Sequence, residues 1–492
     1  MNAKHGLILM GIGLLLICAS VGTASAKTWY VDDSGGADFT KIQDAINAAN
    51  ESDTIFVYNG SYYERISISK SLTLIGENRS ANIIGLGSDK CAYITANNVT
   101  IEGFTIRNGD YGVSIENNAC DNAIINNTIT LNHASGIWIE WSNNNSIINN
   151  SIVENDGDGI DVYYKFENST ICNNNISSNS DRGICLYYYS SCNVISNNSI
   201  NSNGYGGIKL YYSCDHNIIS DNTISNNIYG DGIVLGISCY NEIYNNNISL
   251  NHDDNLVFKD GSNYNILTRN TVINGNVVFE DTYFNAIHHN NFILPTYTVS
   301  DAGSTNSWDN GSIEGGNYWS NHNCSGNPSN GSQPYIIDAD SIDHYPFEDH
   351  NGWIQVENFI FDTGSGTYPS IMGTHNGTIT PSQTITVNKL YTYPCTGTGG
   401  HTEYAKIWNE TLGECAIAEW AGYSGDYHNI SFNKTLTLEK GVIYNYTIRT
   451  GSYPQIHHTD ALPTTNGWIN CTEFTDANGK KYDDWIPAIT LE

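Results

Sequence analysis

The chain has 492 residues, with 51 Asp and Glu against 20 Lys and Arg and a formal charge of −31. Charge of that sign and size repels phosphate backbones and anionic lipid heads, so nucleic acid is excluded as a partner class. Charged residues are only 14% of the chain, so solubility rests on Asn, Ser, Thr and Tyr.

At the N-terminus, Lys4 and His5 precede an apolar run from Leu7 to Val21 and then Ala24-Ser25-Ala26. This order predicts a secretory signal over residues 1–26, cleaved near Ala26, and no integral membrane segment in the mature chain. Secretion makes the N-x-S/T triplets, among them those at Asn59, Asn98, Asn149, Asn197 and Asn247, candidate glycan acceptors. Of twelve cysteines, Cys18 lies in the signal, which leaves an odd number. None forms a CxxC pair, so zinc and thioredoxin chemistry lack spacing support.

The stretch "DFTKIQDAINAAN" puts Ile42, Ala45, Ile46 and Ala49 on one helical face, with Thr40 and Gln43 spaced as a capping box. A short helix here would cover the open edge of the first coil in a stack of strands. From Ile106 onward one unit recurs: Ile106, Ile129, Ile152, Ile176, Ile200, Ile224, Ile248, Val272 and Phe292 mark equivalent positions about 24 residues apart, with a shorter last step. A fixed period of this size means a solenoid, and alternation such as Ile208-Lys209-Leu210 means strands rather than helices. The expected fold is all-β: a right-handed parallel β-helix over 27–350, its coils about 4.8 Å apart, followed by a C-terminal β-sandwich over 354–492.

Asn132, Asn155, Asn179, Asn203, Asn227 and Asn251 follow the markers by three residues and should stack at one turn, adopting or supporting a left-handed conformation and bonding amide to amide. Asn127, Asn150, Asn174, Asn198, Asn222 and Asn246 should form a second stack. Gly112, Gly136, Gly159, Gly183, Gly207 and Gly232 form a third, where a strand is entered and φ is free to be positive.

Two resemblances arise at the ends. The opening, with Gly60, Tyr62 and Glu64, resembles pectin methylesterases and related β-helix proteins, but the QDTL and DFIFG segments of that family are absent, so its activity is not carried over. The closing stretches "WDNGSIEGGNYWSNHN" and "QPYIIDADSIDHYPF", together with the Asn-Gly repeats, resemble the NosD-like right-handed β-helix proteins, including archaeal surface proteins, over residues 28 to 350. Gly315, Gly316, Asn317, Tyr318, Trp319, Pro334, Tyr335, Ile337, Asp338, Tyr345 and Pro346 carry the motif. The resemblance implies a β-helix and, through the name-bearing protein, copper handling. The calcium-loop-like run of many relatives is missing, since residues 323 to 333 contain no carboxylate.

Three constellations offer chemistry. Asp156, Asp158 and Asp161 around Gly159 suit calcium, acid–base work on a sugar, or a solvated turn. Tyr163, Tyr187 and Tyr211, with Trp138 on a lower coil, should line the outer face as a glycan platform or a self-stabilising ladder. His288, His289, His322 and His344 cluster toward the closing motif, where imidazoles suit copper. Cys192, Cys214 and Cys239 fall near one turn of successive coils, within disulfide reach, and Cys395 with Cys415 is another candidate pair. The expectation is a secreted or surface binding and scaffolding module for a glycan or cell-surface polymer, needing no cofactor, with calcium or copper as options. The alternatives are a polysaccharide-active enzyme, of lyase, hydrolase or epimerase type, on the β-helix face, and a NosD-like copper-binding or maturation role.

Overall fold

The computed structural model describes residues 26–492 except 295, 297, 303, 304, 355–358 and 424. The signal expected over 1–26 lies outside the described residues save Ala26. The chain divides into two compact units, one ending at Ile354 and one comprising Gln355–Glu492.

Each coil of the first unit contains three short strands, as in Ser146–Ile148, Ser151–Val153 and Ile160–Tyr164. Equivalent strands pair in parallel from coil to coil into sheets of 13, 12 and 11 strands, the first, second and third faces. Along the second face the marker residues meet like on like, Ile152 on Ile176, Ile176 on Ile200 and Ile200 on Ile224, all fully buried. One coil thus contributes Ile147, Ile152, Ile160 and Val162 to a continuous core. Each side chain is worth about 1.5–3 kcal/mol, and it gains this only against its neighbours above and below.

The corners explain the asparagines. At the corners a left-handed residue immediately precedes a buried ladder residue: Glu154 (φ 56°) before Asn155, Asn149 (φ 59°) before Asn150, Asn144 (φ 58°) before Asn145. The ladder asparagines are therefore not the left-handed residues; Leu131, Glu154, Ser178, Ser202, Asn226 and Leu250 fill that role in the first ladder. The side-chain amide of Asn155 donates to Asn179 at 2.9 Å, Asn179 to Asn203 at 3.0 Å, Asn203 to Asn227 at 3.3 Å and Asn227 to Asn251 at 2.7 Å. Asn132 starts this run at 2.8 Å from Asn155 and Asn251 passes it to Asn255. A third ladder, Asn193, Asn217, Asn241, Asn265 and Asn285, occupies the corner between the third and first faces. Ser169 interrupts its pattern below Asn193, which hides it from a search for repeated Asn.

The stacked glycines are also needed for a different reason than a positive φ, which none of the six has. A Cβ on Gly183 would lie 2.4 Å from Ile200 Cγ2, 2.9 Å from Gly207 O and 3.1 Å from Asn203 Nδ2. Gly136, Gly159 and Gly207 are enclosed in the same way. Since backbone and ladder cannot yield, Gly183→Ala is expected to cost about 3 kcal/mol, read as a lowered denaturation midpoint of the coil unit.

At the N-terminal end a helix spans Ile42–Ala48, with Ile42, Ala45 and Ile46 buried in the coil core. No capping box forms. The Glu64 carboxylate instead accepts from Ile42 N at 2.8 Å and Gln43 N at 2.9 Å, a full negative charge being the better partner for a helix N-terminus. Gln43 is drawn away to Ser67, whose N donates to its Oε1 at 2.6 Å.

The eleven cysteines of the described chain are all free. Cys192, Cys214 and Cys239 occupy three different columns. Cys214 N donates to Ser238 Oγ and Cys239 N to Asp215 Oδ1, while Cys192 is the left-handed residue in the column of His216 and Tyr240. Steps of 22 and 25 residues offset each thiol from the 24-residue register. Cys395 and Cys415 likewise remain unpaired.

The second unit departs from the expected sandwich. Its main sheet runs antiparallel in the order Phe361–Asp362, Ile489–Leu491, Ile385–Thr392, Asn429–Leu438, Glu414–Glu419, His401–Asn409, Tyr444–Gly451, Gly373–Pro381, Gly467–Asp476, Ala461–Thr464. A bridge between Asp362 and Thr465 brings its two ends together, so the sheet is barrel-like. Register shifts at Asn376/Gly377, Val387/Lys389 and Thr402/Tyr404 bend the long strands enough to curl one sheet around one core.

Candidate functional site

Strand alternation turns one residue per coil outward at the centre of the third face. Register aligns Trp138, Asp161, Cys185 and Lys209 in one column. Asp158 lies just before the strand, 7% exposed, and accepts from Arg182 N at 2.6 Å, with Arg182 Nη1 at 3.8 Å. Burial pushes the Asp158 carboxyl up to about 6. Asp161 rises to about 7, through burial first and then the negative charge of Asp158. The Lys209 ammonium sits 4.8 Å from the Tyr211 ring centre and 5.4 Å from that of Tyr187, and burial lowers its pKa. Burial also pushes the Cys185 thiol and the Tyr187 hydroxyl well up.

Asp158 and Asp161 are thus brought together, whereas Asp156 is exposed and faces His133 at 3.6 Å. Basic residues do flank this pair, although none is conspicuous in the linear sequence. Arg182 and Lys209 lie one and two coils away, and only the 24-residue step reveals that Cys185 and Lys209 stand over Asp161.

The aromatic row is not continuous at the expected positions. Tyr187 and Tyr211 meet edge to face at 6.4 Å, and Tyr163 stacks on Trp138 at 5.8 Å. A register shift after Ile139 pairs Glu140 with Tyr164, which displaces Tyr163 from the column. The stacked ladder lies one residue later: Trp141 on Tyr164 at 4.9 Å, Tyr164 on Tyr188 at 5.1 Å and Tyr188 on Tyr212 at 4.9 Å, nearly parallel throughout. His216, Tyr240, Tyr264 and Phe284 form a second ladder at 5.1 Å steps. These steps follow the strand separation, so the rings cover one another's faces and present edges to solvent.

The histidines are not gathered. His289 Nε2 lies 2.6 Å from Glu314 O, His322 Nε2 2.9 Å from Gln333 O, and His344 Nδ1 2.9 Å from Asp309. His288 meets His289 edge to face and is driven down to about 4 by burial. Among the described residues no group of three or more His, Cys, Asp or Glu is placed to hold a metal ion.

The raised carboxyls carry a pH dependence. From the ordinary aspartate value of 3.8 up to about 7, the folded chain holds protons that the unfolded chain has released, so stability from Asp158 and Asp161 falls as pH rises through that window. Asp161→Asn is therefore expected to match the parent near pH 4 and exceed it in melting temperature at pH 8. The difference between variant and parent cancels the opposite slope of His288 and His375, both held near 4.

Comparison with known proteins agrees with this architecture. Residues 38–219 match the family described as "Right handed beta helix region", and residues 187–324 the one described as "Periplasmic copper-binding protein (NosD)". Over 127 residues the chain is 41% identical to a cell surface glycoprotein of Methanothermus fervidus, a match covering 25% of this chain and 21% of that protein, so it spans about a fifth of the relative's length. Similar solved structures include DFA-IIIase from Arthrobacter chlorophenolicus, at 12% identity and TM-score 0.47 over 58% of this chain and 94% of that one. The A-module of the mannuronan C-5 epimerase AlgE6 of Azotobacter vinelandii has 12% identity and TM-score 0.40 over 54% of this chain and 89% of that one. With its three faces and laddered corners, the coil-bearing unit is a right-handed parallel β-helix, similar over residues 38–219 and 187–324 to these two families.

Proposed function

We propose that the protein works outside the cell or in the envelope as a binding module, holding a glycan or similar surface polymer on its third face. The observation that carries this is the meeting of Lys209 with Tyr187 and Tyr211, beside the stacked Trp138 and Tyr163 and above Asp161 and Arg182. A sugar presents C–H faces to aromatic rings and hydroxyls or carboxylates to charged groups, and this patch offers both within three coils. The match to a cell surface glycoprotein supports the location. Among the described residues no helix is long and apolar enough to cross a membrane.

The test is binding to a panel of neutral and acidic polysaccharides. Lys209→Ala and Tyr187→Ala are expected to weaken binding at least tenfold, about 1.4 kcal/mol, while Tyr240→Ala in the second ladder leaves it unchanged. A parent chain that binds nothing on the panel rejects the reading.

A second reading, that this face cleaves or isomerises its polymer, is favoured by two carboxyls held near 6 and 7 next to Lys209 and Tyr187. Groups that exchange protons near neutral pH are what general acid–base chemistry requires. It expects product from the parent and none from Asp161→Asn with binding retained. Absence of product from every bound polysaccharide sinks it.

A further inference from the structure

The N-x-S/T triplets of the coils are ordered by the corner geometry. Asn144, Asn149, Asn168 and Asn197 each hold a left-handed corner position, with φ between 51° and 59°, and each is exposed. The next residue is the buried ladder position, Asn145, Asn150, Ser169 or Asn198. The one after that opens a strand and points outward: Ser146, Ser151, Thr170 or Ser199. The hydroxyl residue thus falls two places after the exposed Asn, while two places after a ladder Asn comes an inward Ile such as Ile147, Ile152 or Ile200. Asn175 and Asn247 add two triplets on the outer side of the second face, where period two brings Ser177 and Ser249 to the same side. Two further corner triplets stand at Asn98 and Asn126, the latter with its Nδ2 donating to Glu102 Oε1 at 3.1 Å. Between residues 97 and 260 no triplet has its Asn on the third face or in the corner leading into it. No side chain of Asn144, Asn149, Asn168, Asn175, Asn197 or Asn247 donates a hydrogen bond within the described chain.

We propose that Asn144, Asn149, Asn168, Asn175, Asn197 and Asn247 are N-glycosylated, so that glycans clothe the first and second faces and the corners beside them while the third face stays bare. The donor is a lipid-phosphate-linked oligosaccharide. An Nδ2–C1 bond forms, the C1–O bond to the lipid phosphate breaks, the phosphate leaves as its anion, and the amide gives up one proton. A ladder amide cannot serve in the fold, because its Nδ2 hydrogens are committed: Asn198 spends them on Ile171 O and Asn222 Oδ1. The one-residue offset between corner and ladder therefore lets a single repeated phrase, Asn-Asn-Ser, serve both stability and modification.

The full chain, secreted from a host whose transferase reads N-x-S/T, is digested and its glycopeptides sequenced by mass spectrometry. Glycan is expected on the six named asparagines and not on Asn145, Asn150, Asn198 or Asn203. Ser151→Ala, which leaves the Asn150 ladder bonds in place, is expected to remove one glycan's mass from the peptide carrying Asn149 and to keep the β-rich circular dichroism of the parent. Bare peptides at all six positions from a host that modifies its other secreted proteins overturn the proposal, as does a glycan that persists on Asn149 itself in Ser151→Ala.

Discussion

Asn198→Ala is expected to destabilise the coil unit by about 4 kcal/mol, measured by denaturant unfolding, although it removes no apolar contact. Asn198 Oδ1 accepts from both Asn174 N and Asn174 Nδ2 at 3.0 Å, and its own Nδ2 donates to Ile171 O at 2.9 Å and Asn222 Oδ1 at 3.0 Å. Alanine keeps the bonds of its own backbone, N to Asn222 Oδ1 and O from Thr223 N, but two donors of Asn174 lose their acceptor inside a dry corner. Each such orphan costs roughly 1–3 kcal/mol. Asn198→Asp separates the halves of the interaction. Its oxygens still accept from Asn174, but they confront Ile171 O and Asn222 Oδ1 with no proton to give, so it should fare no better than alanine. Asn201→Ala, on the outer side of the strand that follows, should change stability by less than about 0.5 kcal/mol. Because each coil touches only its neighbours, hydrogen exchange should rise first in the strands around Asn175–Ser177, Ser199–Asn201 and Thr223–Ser225.

The coil and its core were legible because the 24-residue step and period-two alternation are both one-dimensional signals. Ile200, Gly207, Ile208 and Leu210 read as core and corner without coordinates. What the step leaves obscure is anything requiring a sub-residue decision. The left-handed residue precedes the ladder Asn, because the turn must be complete before the side chain aims inward; spacing alone marks the ladder and not which neighbour bends. The Tyr163, Tyr187, Tyr211 row failed at one register shift beside Glu140, which no periodicity reports. The Asp158, Asp161, Arg182, Lys209 group was hidden for the opposite reason: its members are perfectly periodic but chemically unlike, and a search for repeated residues passes over a column whose identity changes at every coil. In the C-terminal unit, strand alternation was plain, while the closure through Asp362 and Thr465 depends on bends that leave no mark on the pattern.

Trp319→Ala is expected to cost about 4 kcal/mol and to loosen the final coil. Trp319 is 1% exposed, stacks on Tyr335 at 3.9 Å and on Phe292 at 4.5 Å, and donates from Nε1 to Asp343 at 2.8 Å. It therefore covers Phe292, the last marker residue, where the next coil would otherwise sit. Asp343 holds the cap together, since it also accepts from Asn317 N at 2.7 Å and Tyr345 N at 3.1 Å, and Asn317 in turn ends the ladder by accepting from Asn290 Nδ2 at 3.0 Å. Burial pushes the Asp343 carboxyl up to about 7, against the pull of these donors. Trp319→Phe keeps a ring in the stack and removes only the donor, so the carboxyl should titrate higher still. The ionised form then loses support that the neutral form did not need. The Phe variant should consequently melt only slightly below the parent at pH 5.5 and distinctly below it at pH 8.5. A deficit equal at both pH values would show that the indole N–H does not stabilise the Asp343 anion and that Trp319 closes the coils by packing alone.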